Sequence, residues 1–422
     1  MTIFSHLSYL QRNRFAPRQI IGTPSNELAM VVVIPCFAET HLLSTLNSLE
    51  KCDLPQGKVE ILIVINGSEK ASAEQMQKNE QTLKDFQAWN HKRKYVYHVL
   101  HFPNLPKKHA GVGLARKIGM DEALDRLQQV DNEKGIIVCL DADSLVPANY
   151  LVEIEQYFLR YPKTKAASIH FEHPLSNEEI AALSPDAPQF SPEVYAGILR
   201  YELYLRYYIE GLKYAGYPFA YHTIGSSMVA RADIYAAEGG MNRKQAGEDF
   251  YFLHKIIPLG NFGEITATQV YPSPRPSEKV PFGTGRAIQN WLSNPEEEYP
   301  CYNVQIFEDL RLFLEKVPAL YVSEERNFPP SIQAFCDTLK FEEDLAENKK
   351  HSPNEKTFIK RFFRWFDGFM ILKYVHFARD NFYTNQPLQT MAADLWKMKG
   401  EKETFVTLTE ALMTYRACQR KK

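Results

Sequence analysis

The sequence has 422 residues, of which 45% are apolar and 24% charged, and its net charge at pH 7 is −2. A chain of this size and composition buries a large core without staples and divides into two or three units, or one large α/β unit with an extension. The near-neutral balance gives no electrostatic footing for nucleic acid as a partner.

Residues 1–28 are mixed and polar with scattered aromatics, the pattern of an N-terminal arm packed on a main body. MVVVIP (30–35) is a short β-branched run that stops at a proline, which predicts a buried strand of a parallel sheet. ETHLLSTLNSLEKC (39–52) puts Leu42, Leu43, Leu46 and Leu49 on a helical period. VEILIVING (59–67) reads as a second buried strand, 69–90 as a polar helix, and YVYHVL (95–100) as a third strand. GVGLARKIGMDEALDRL (111–127) is a helix behind a glycine-rich start, and GIIVCLDAD (135–143) a fourth strand with acids at its end.

This alternation predicts an α/β fold, a doubly wound and mostly parallel sheet flanked by helices. Sites in such sheets lie outside the carboxyl ends of the strands. Pro35-Cys36-Phe37, Asn66-Gly67 and Asp141-Ala142-Asp143 all fall at that edge.

KAASIHFEHPL (165–175) reads as a further strand and 191–217 as a long, tyrosine-rich helix. A glycine-punctuated segment (222–250) and a proline-rich loop (271–285) close this body, and from about 300 the pattern is helical, amphipathic and charged. The expected division is an arm over 1–28, a main domain over 29–298 and a helical C-terminal extension over 299–422.

Six cysteines, at 36, 52, 139, 301, 336 and 418, form no CxxC pair, which speaks against a zinc knuckle or a thioredoxin-like site. Cys36 and Cys139 fall inside apolar strand runs, where a free thiol behaves as a small hydrophobe. The first residues hold no apolar stretch of signal-peptide length, and no run of about 18 apolar residues occurs. These features set the expectation of a cytoplasmic protein without a spanning helix.

Two carboxylates one residue apart, directly after a buried strand, have a specific use. Asp141 and Asp143 can together hold a hard divalent cation that also takes phosphate oxygens. Mg²⁺ or Mn²⁺ so placed neutralises a diphosphate leaving group as its bond to a sugar breaks. The Glu248-Asp249 pair opens a helix, where the dipole favours negative charge.

Five runs stand in one order: VVVIPCFAE (31–39), ILIVINGS (61–68), GLARKIG (113–119), CLDADS (139–144) and GEDFYF (247–252). Together they resemble the family 2 glycosyltransferases of the GT-A fold, over about residues 30–295. The resemblance implies that Pro35, Phe37 and Glu39 line the nucleotide pocket and that Arg116 faces the nucleotide. It implies that Asp141 contacts the ribose or the metal, that Asp143 is the direct ligand of Mn²⁺ or Mg²⁺, and that Asp249 is the catalytic base with Glu248 beside it. The implied donor is a UDP- or GDP-sugar and the implied acceptor a glycan or a lipid-linked glycan.

Asn66 stands where the family usually carries an aspartate that meets the base. An amide both donates and accepts, so uracil and guanine both stay open. The processive synthases carry Gln-x-x-Arg-Trp, whereas GTGRAIQNW has Arg286 and Trp291 five apart, which argues against a processive polymer synthase. Arg275, Lys279 and Arg286, in or beside the proline-rich loop, suit either bidentate contacts to the donor diphosphate or a solvated basic loop.

Tyr201, Tyr204 and Tyr208 share a helix face, fit for core packing or for stacking on an acceptor sugar. His170, His173, His222 and His254 read as structural histidines or as a third metal ligand. FIKRFFRWFDGFMILKYVHFARD (358–380) is apolar on one side and basic on the other. It fits a core helix of the extension or a helix resting peripherally on an anionic membrane, on its cytoplasmic face. The rival readings are a nucleotidyltransferase, disfavoured because PCFAET lacks a basic glycine-rich phosphate loop, and a non-catalytic sugar-nucleotide-binding module.

Overall fold

The computed structural model describes residues 3–277, 283–295, 298–401 and 405–421, with backbone only for 3–7. Seven strands form one sheet: β1 (Leu28–Cys36), β2 (Lys58–Ser68), β3 (Val96–Leu105), β4 (Ile136–Cys139), β5 (Ala166–Phe171), β6 (Met228–Arg231) and β7 (Phe262–Val270). Their order is β3-β2-β1-β4-β6-β5-β7. β1 lies parallel between β2 and β4, with Val33 opposite Leu62 on one side and Cys139 on the other. β6 alone runs against the rest, antiparallel to both β4 and β5. The expected doubly wound, mostly parallel sheet is therefore present.

The continuous apolar runs explain the centre. Val31 to Ile34 and Ile61 to Ile65 are fully buried, as strands covered by helices on both faces must be. The helix Val112–Gln128 covers β1 and β2 closely because Gly119 has no side chain. A Cβ there would stand 2.4 Å from Cγ1 of Val33. Cys36 and Cys139 are buried thiols, and burial pushes the Cys139 thiol up to about 12.

The same helix buries several charges, and the N-terminal residues partner Lys117, Asp121, Glu122 and Asp125. Arg14 pairs with Glu122 and, at 2.8 Å, with Asp125, which also takes Arg18 at 2.7 Å. The Tyr9 hydroxyl donates to Asp121 at 2.8 Å and accepts from Lys117 at 2.9 Å. Buried charges persist where they are paired and hydrogen-bonded, and the arm supplies those partners.

The chain separates into two compact units. The first comprises Met1–Ile198, Thr223–Leu292 and Gln419–Lys422, and contains the sheet. The second comprises Leu199–His222 and Ser293–Cys418 and is largely helical. Within it Tyr204 packs on Tyr299 and Tyr302, and Tyr208 on Tyr302 and Phe307, so these tyrosines lie in a core of rings. Glu202 is fully buried between Arg206 and Arg416.

The 358–380 segment forms two helices, Glu355–Trp365 and Gly368–Asn381, broken where Asp367 caps the second. Phe358, Phe362, Phe366 and Tyr374 are buried in the second unit, while Lys356, Lys360 and Arg364 are exposed. Among the described residues no helix is long and apolar enough to cross a membrane.

Candidate active site

At the carboxyl edge of the sheet, β1 leaves through Ala38, held at φ 46°, a left-handed conformation uncommon outside glycine. Asn79 stabilises that turn. Its Oδ1 accepts from the Ala38 N–H at 2.8 Å, and its Nδ2 donates to the Asn66 carbonyl at 2.9 Å. One buried amide thus ties the ends of β1 and β2. Pro35 and Asn66 are buried there and Phe37 is half-buried.

β4 ends at Cys139, and the Asp141-Ala142-Asp143 triplet forms a tight turn closed by Ser144 N–H to the Asp141 carbonyl at 3.1 Å. The Ala142 carbonyl accepts from the Thr45 hydroxyl at 2.9 Å, and the Ala142 side chain is buried. The two carboxylates on either side stay partly open to solvent, at 38% for Asp141 and 27% for Asp143.

Each carboxylate meets an arginine. Arg116, in the first turns of the helix Val112–Gln128, bonds Asp141 through one terminal nitrogen and Glu248 through the other. Burial works against its charge, but the carboxylates of Asp141 and Asp249 outweigh it and hold its pKa above the ordinary value. Gly225 makes room for this guanidinium, since a Cβ there would stand 2.5 Å from both terminal nitrogens. Asp143 accepts from Arg275 at 2.8 Å, and Arg275 also bonds both oxygens of Glu39, at 3.1 and 2.6 Å.

Glu248 and Asp249 open the helix Glu248–Ile256 after Gly247, whose φ of 71° suits glycine. Asp249 Oδ1 accepts from the Phe250 N–H at 2.7 Å. Burial raises the Asp249 pKa, the Arg116 charge opposes that, and Asp141 adds to it. Glu39, Asp143, Asp141, Glu248 and Asp249 are therefore gathered around two arginines.

Arg286 is half-buried in the helix Thr284–Ser293, with no ion pair among the described residues. Lys279 lies outside the described residues. His170 bonds Glu172 at 2.9 Å, and His254 stacks on Phe250 with centroids 5.2 Å apart. His173 is buried, and His222 belongs to the second unit. No group of three His, Cys, Asp or Glu side chains that suits a metal occurs among the described residues.

The donor chemistry of the turn still fits a hard cation. Mg²⁺ commonly takes one or two carboxylates and fills its shell with water and substrate phosphate. Asp141 and Asp143 supply such oxygens from one solvent-facing turn.

Residues 31–181 match the model of Glycosyl transferase family 2. That segment is similar to the family 2 glycosyltransferases. It carries β1 to β5, Arg116 and the acidic turn, while Glu248, Asp249 and Arg275 lie beyond the matched residues. Among solved structures, the chain is similar to S. aureus TarS 1–349 in complex with UDP, at 13% identity and TM-score 0.36, over 93% of this chain and 88% of that one. It is likewise similar to S. aureus TarS 1–349 in complex with UDP-GlcNAc, at 12% identity and TM-score 0.37, over the same shares. No curated protein matches the sequence.

Proposed function

We propose that this glycosyltransferase chain moves a sugar, with inversion, from a nucleoside diphosphate sugar to a hydroxyl of a glycan or lipid-linked acceptor. The observation that supports this reading most is the pairing of Arg116 with both Asp141 and Glu248. It puts the acidic turn and the Glu248-Asp249 helix start within reach of one guanidinium.

Asp249 is the base of this reading. It takes the proton of the acceptor hydroxyl while that oxygen bonds to C1 of the sugar on the face opposite the diphosphate. The bond from C1 to the diphosphate oxygen breaks and its electrons leave with the nucleoside diphosphate. Mn²⁺ or Mg²⁺ on Asp141 and Asp143 would neutralise that leaving group. Arg116 holds Asp141 and Glu248 in place, and Pro35, Phe37, Glu39 and Asn66 border the nucleoside side. The base is uracil or guanine, since the Asn66 amide offers both a donor and an acceptor.

We further propose a cytoplasmic setting with peripheral membrane contact through the exposed face of Lys356, Lys360 and Arg364. A thermal-shift panel of UDP, GDP, ADP and CMP with Mn²⁺ tests the donor reading. Stabilisation by UDP or GDP, lost without the cation, supports it. Equal indifference to all four nucleotides would overturn it.

A further inference from the structure

Arg275 makes three side-chain hydrogen bonds to two carboxylates whose positions in the sequence are far apart, Glu39 and Asp143. Glu39 is nearly inaccessible, at 4%, and so is a fixed anchor. Asp143 is the more open partner. An arginine side chain is a cation at every working pH.

The chain leading to Arg275 is restrained. Tyr271 is tied to Leu145 by two backbone hydrogen bonds of 2.8 and 2.9 Å, just past the acidic turn. Pro272, Pro274 and Pro276 then restrict the backbone up to and around Arg275. Under this loop, between Asp143, His41, Phe190 and Pro274, the cavity measures about 20 Å³. That is room for about one water. Arg275 ties this stretch of chain to both Glu39 and Asp143.

We infer that Arg275 is a latch on the donor site, an inference that rests on the donor reading of Asp143 given above. While no donor is bound, its guanidinium takes the Asp143 oxygen that a divalent cation would use. When cation and diphosphate arrive, Asp143 exchanges one cation for the other. Arg275, still bonded to Glu39, then turns its free donors to the diphosphate oxygens, a bidentate contact that suits arginine. No covalent bond forms or breaks in this exchange. Glu39 is thereby a positioning residue for Arg275.

The test is calorimetric titration of the nucleotide-free full chain with Mn²⁺, then with UDP or GDP at saturating Mn²⁺. Arg275→Ala is expected to bind Mn²⁺ alone about tenfold more tightly than wild type, the scale of one charge-assisted hydrogen bond removed from Asp143. The same variant is expected to bind the nucleoside diphosphate about tenfold more weakly. Arg275→Lys separates latch from field, because lysine keeps the charge but not the two-pronged bridge. The latch predicts that the lysine variant lies near the alanine variant in Mn²⁺ affinity. Equal Mn²⁺ affinity in wild type and Arg275→Ala overturns the latch, and so does a lysine variant that matches wild type. If wild type and variants alike bind neither Mn²⁺ nor nucleotide, the donor-site reading itself fails, an outcome distinct from binding that ignores Arg275.

Discussion

Arg116 and Asp141 form an ion pair that joins the helix Val112–Gln128 to the turn after β4. The other end of the guanidinium holds Glu248, whose side chain is 2% exposed. Arg116→Ala leaves that carboxylate buried without its cation, which costs about 3–5 kcal/mol when a buried pair is broken from one side. A lower urea midpoint and loss of turnover are both expected. An unchanged midpoint contradicts the structural role given to Arg116.

Gly225 stands against the same guanidinium, and any Cβ there meets it at 2.5 Å. Gly225→Ala must displace Arg116 from Asp141, Glu248 or both. Activity is expected to fall by at least tenfold, about 1.4 kcal/mol in the barrier, while nucleotide-free protein stays folded by circular dichroism. Full activity in a folded Gly225→Ala protein would show that this packing does not matter to the site.

Asp249 has its pKa raised by burial, with the Arg116 charge pulling the other way. A base acts in its ionised form, so the competent fraction increases with pH. The acid limb of kcat/KM is expected above the ordinary aspartate value of about 4. Asp249→Asn should lower kcat by roughly 10²–10⁴ and remove that limb from the residual rate. A wild-type limb at or below pH 4, or a fully active asparagine variant, sinks the assignment.

Lys356, Lys360 and Arg364 are four residues apart on the helix Glu355–Trp365, so they share one exposed face. Each cation near an anionic bilayer contributes about 1 kcal/mol. Co-sedimentation with phosphatidylglycerol–phosphatidylcholine vesicles is expected, weakening with salt, and the triple glutamate variant should stay in the supernatant. Equal binding by wild type and variant removes this face from the account.

The first four strands were legible in the sequence because β1, β2 and β4 are buried on both faces and so read as unbroken β-branched runs. The Asp141–Asp143 turn followed from its place after GIIVCL. β6 and β7 were not legible. Met228–Arg231 is four residues long inside a glycine-punctuated segment, and its antiparallel place between β4 and β5 depends on partners distant in the chain. Asp121, Glu122 and Asp125 look like a solvated helix face until Tyr9, Arg14 and Arg18 are seen to cover them.

In the site, the Glu39–Arg275 bridge spans 236 positions and leaves no local mark. Asn79 likewise reads as one polar residue in a polar helix, yet it joins the ends of two strands. Gly225 falls in the glycine-punctuated 222–250 segment, and its function depends on Arg116 lying against it.

The most direct test of the donor-site account is release of nucleoside diphosphate from UDP- and GDP-sugars in Mn²⁺, comparing wild type with Asp143→Ala. The account predicts that wild type turns over at least one of these donors, that chelation stops it, and that Asp143→Ala loses the activity by two orders of magnitude or more, roughly 3 kcal/mol of the barrier. Turnover of no donor by a wild-type protein that is still stabilised by a nucleotide sugar would contradict it, and would leave a sugar-nucleotide-binding module in its place.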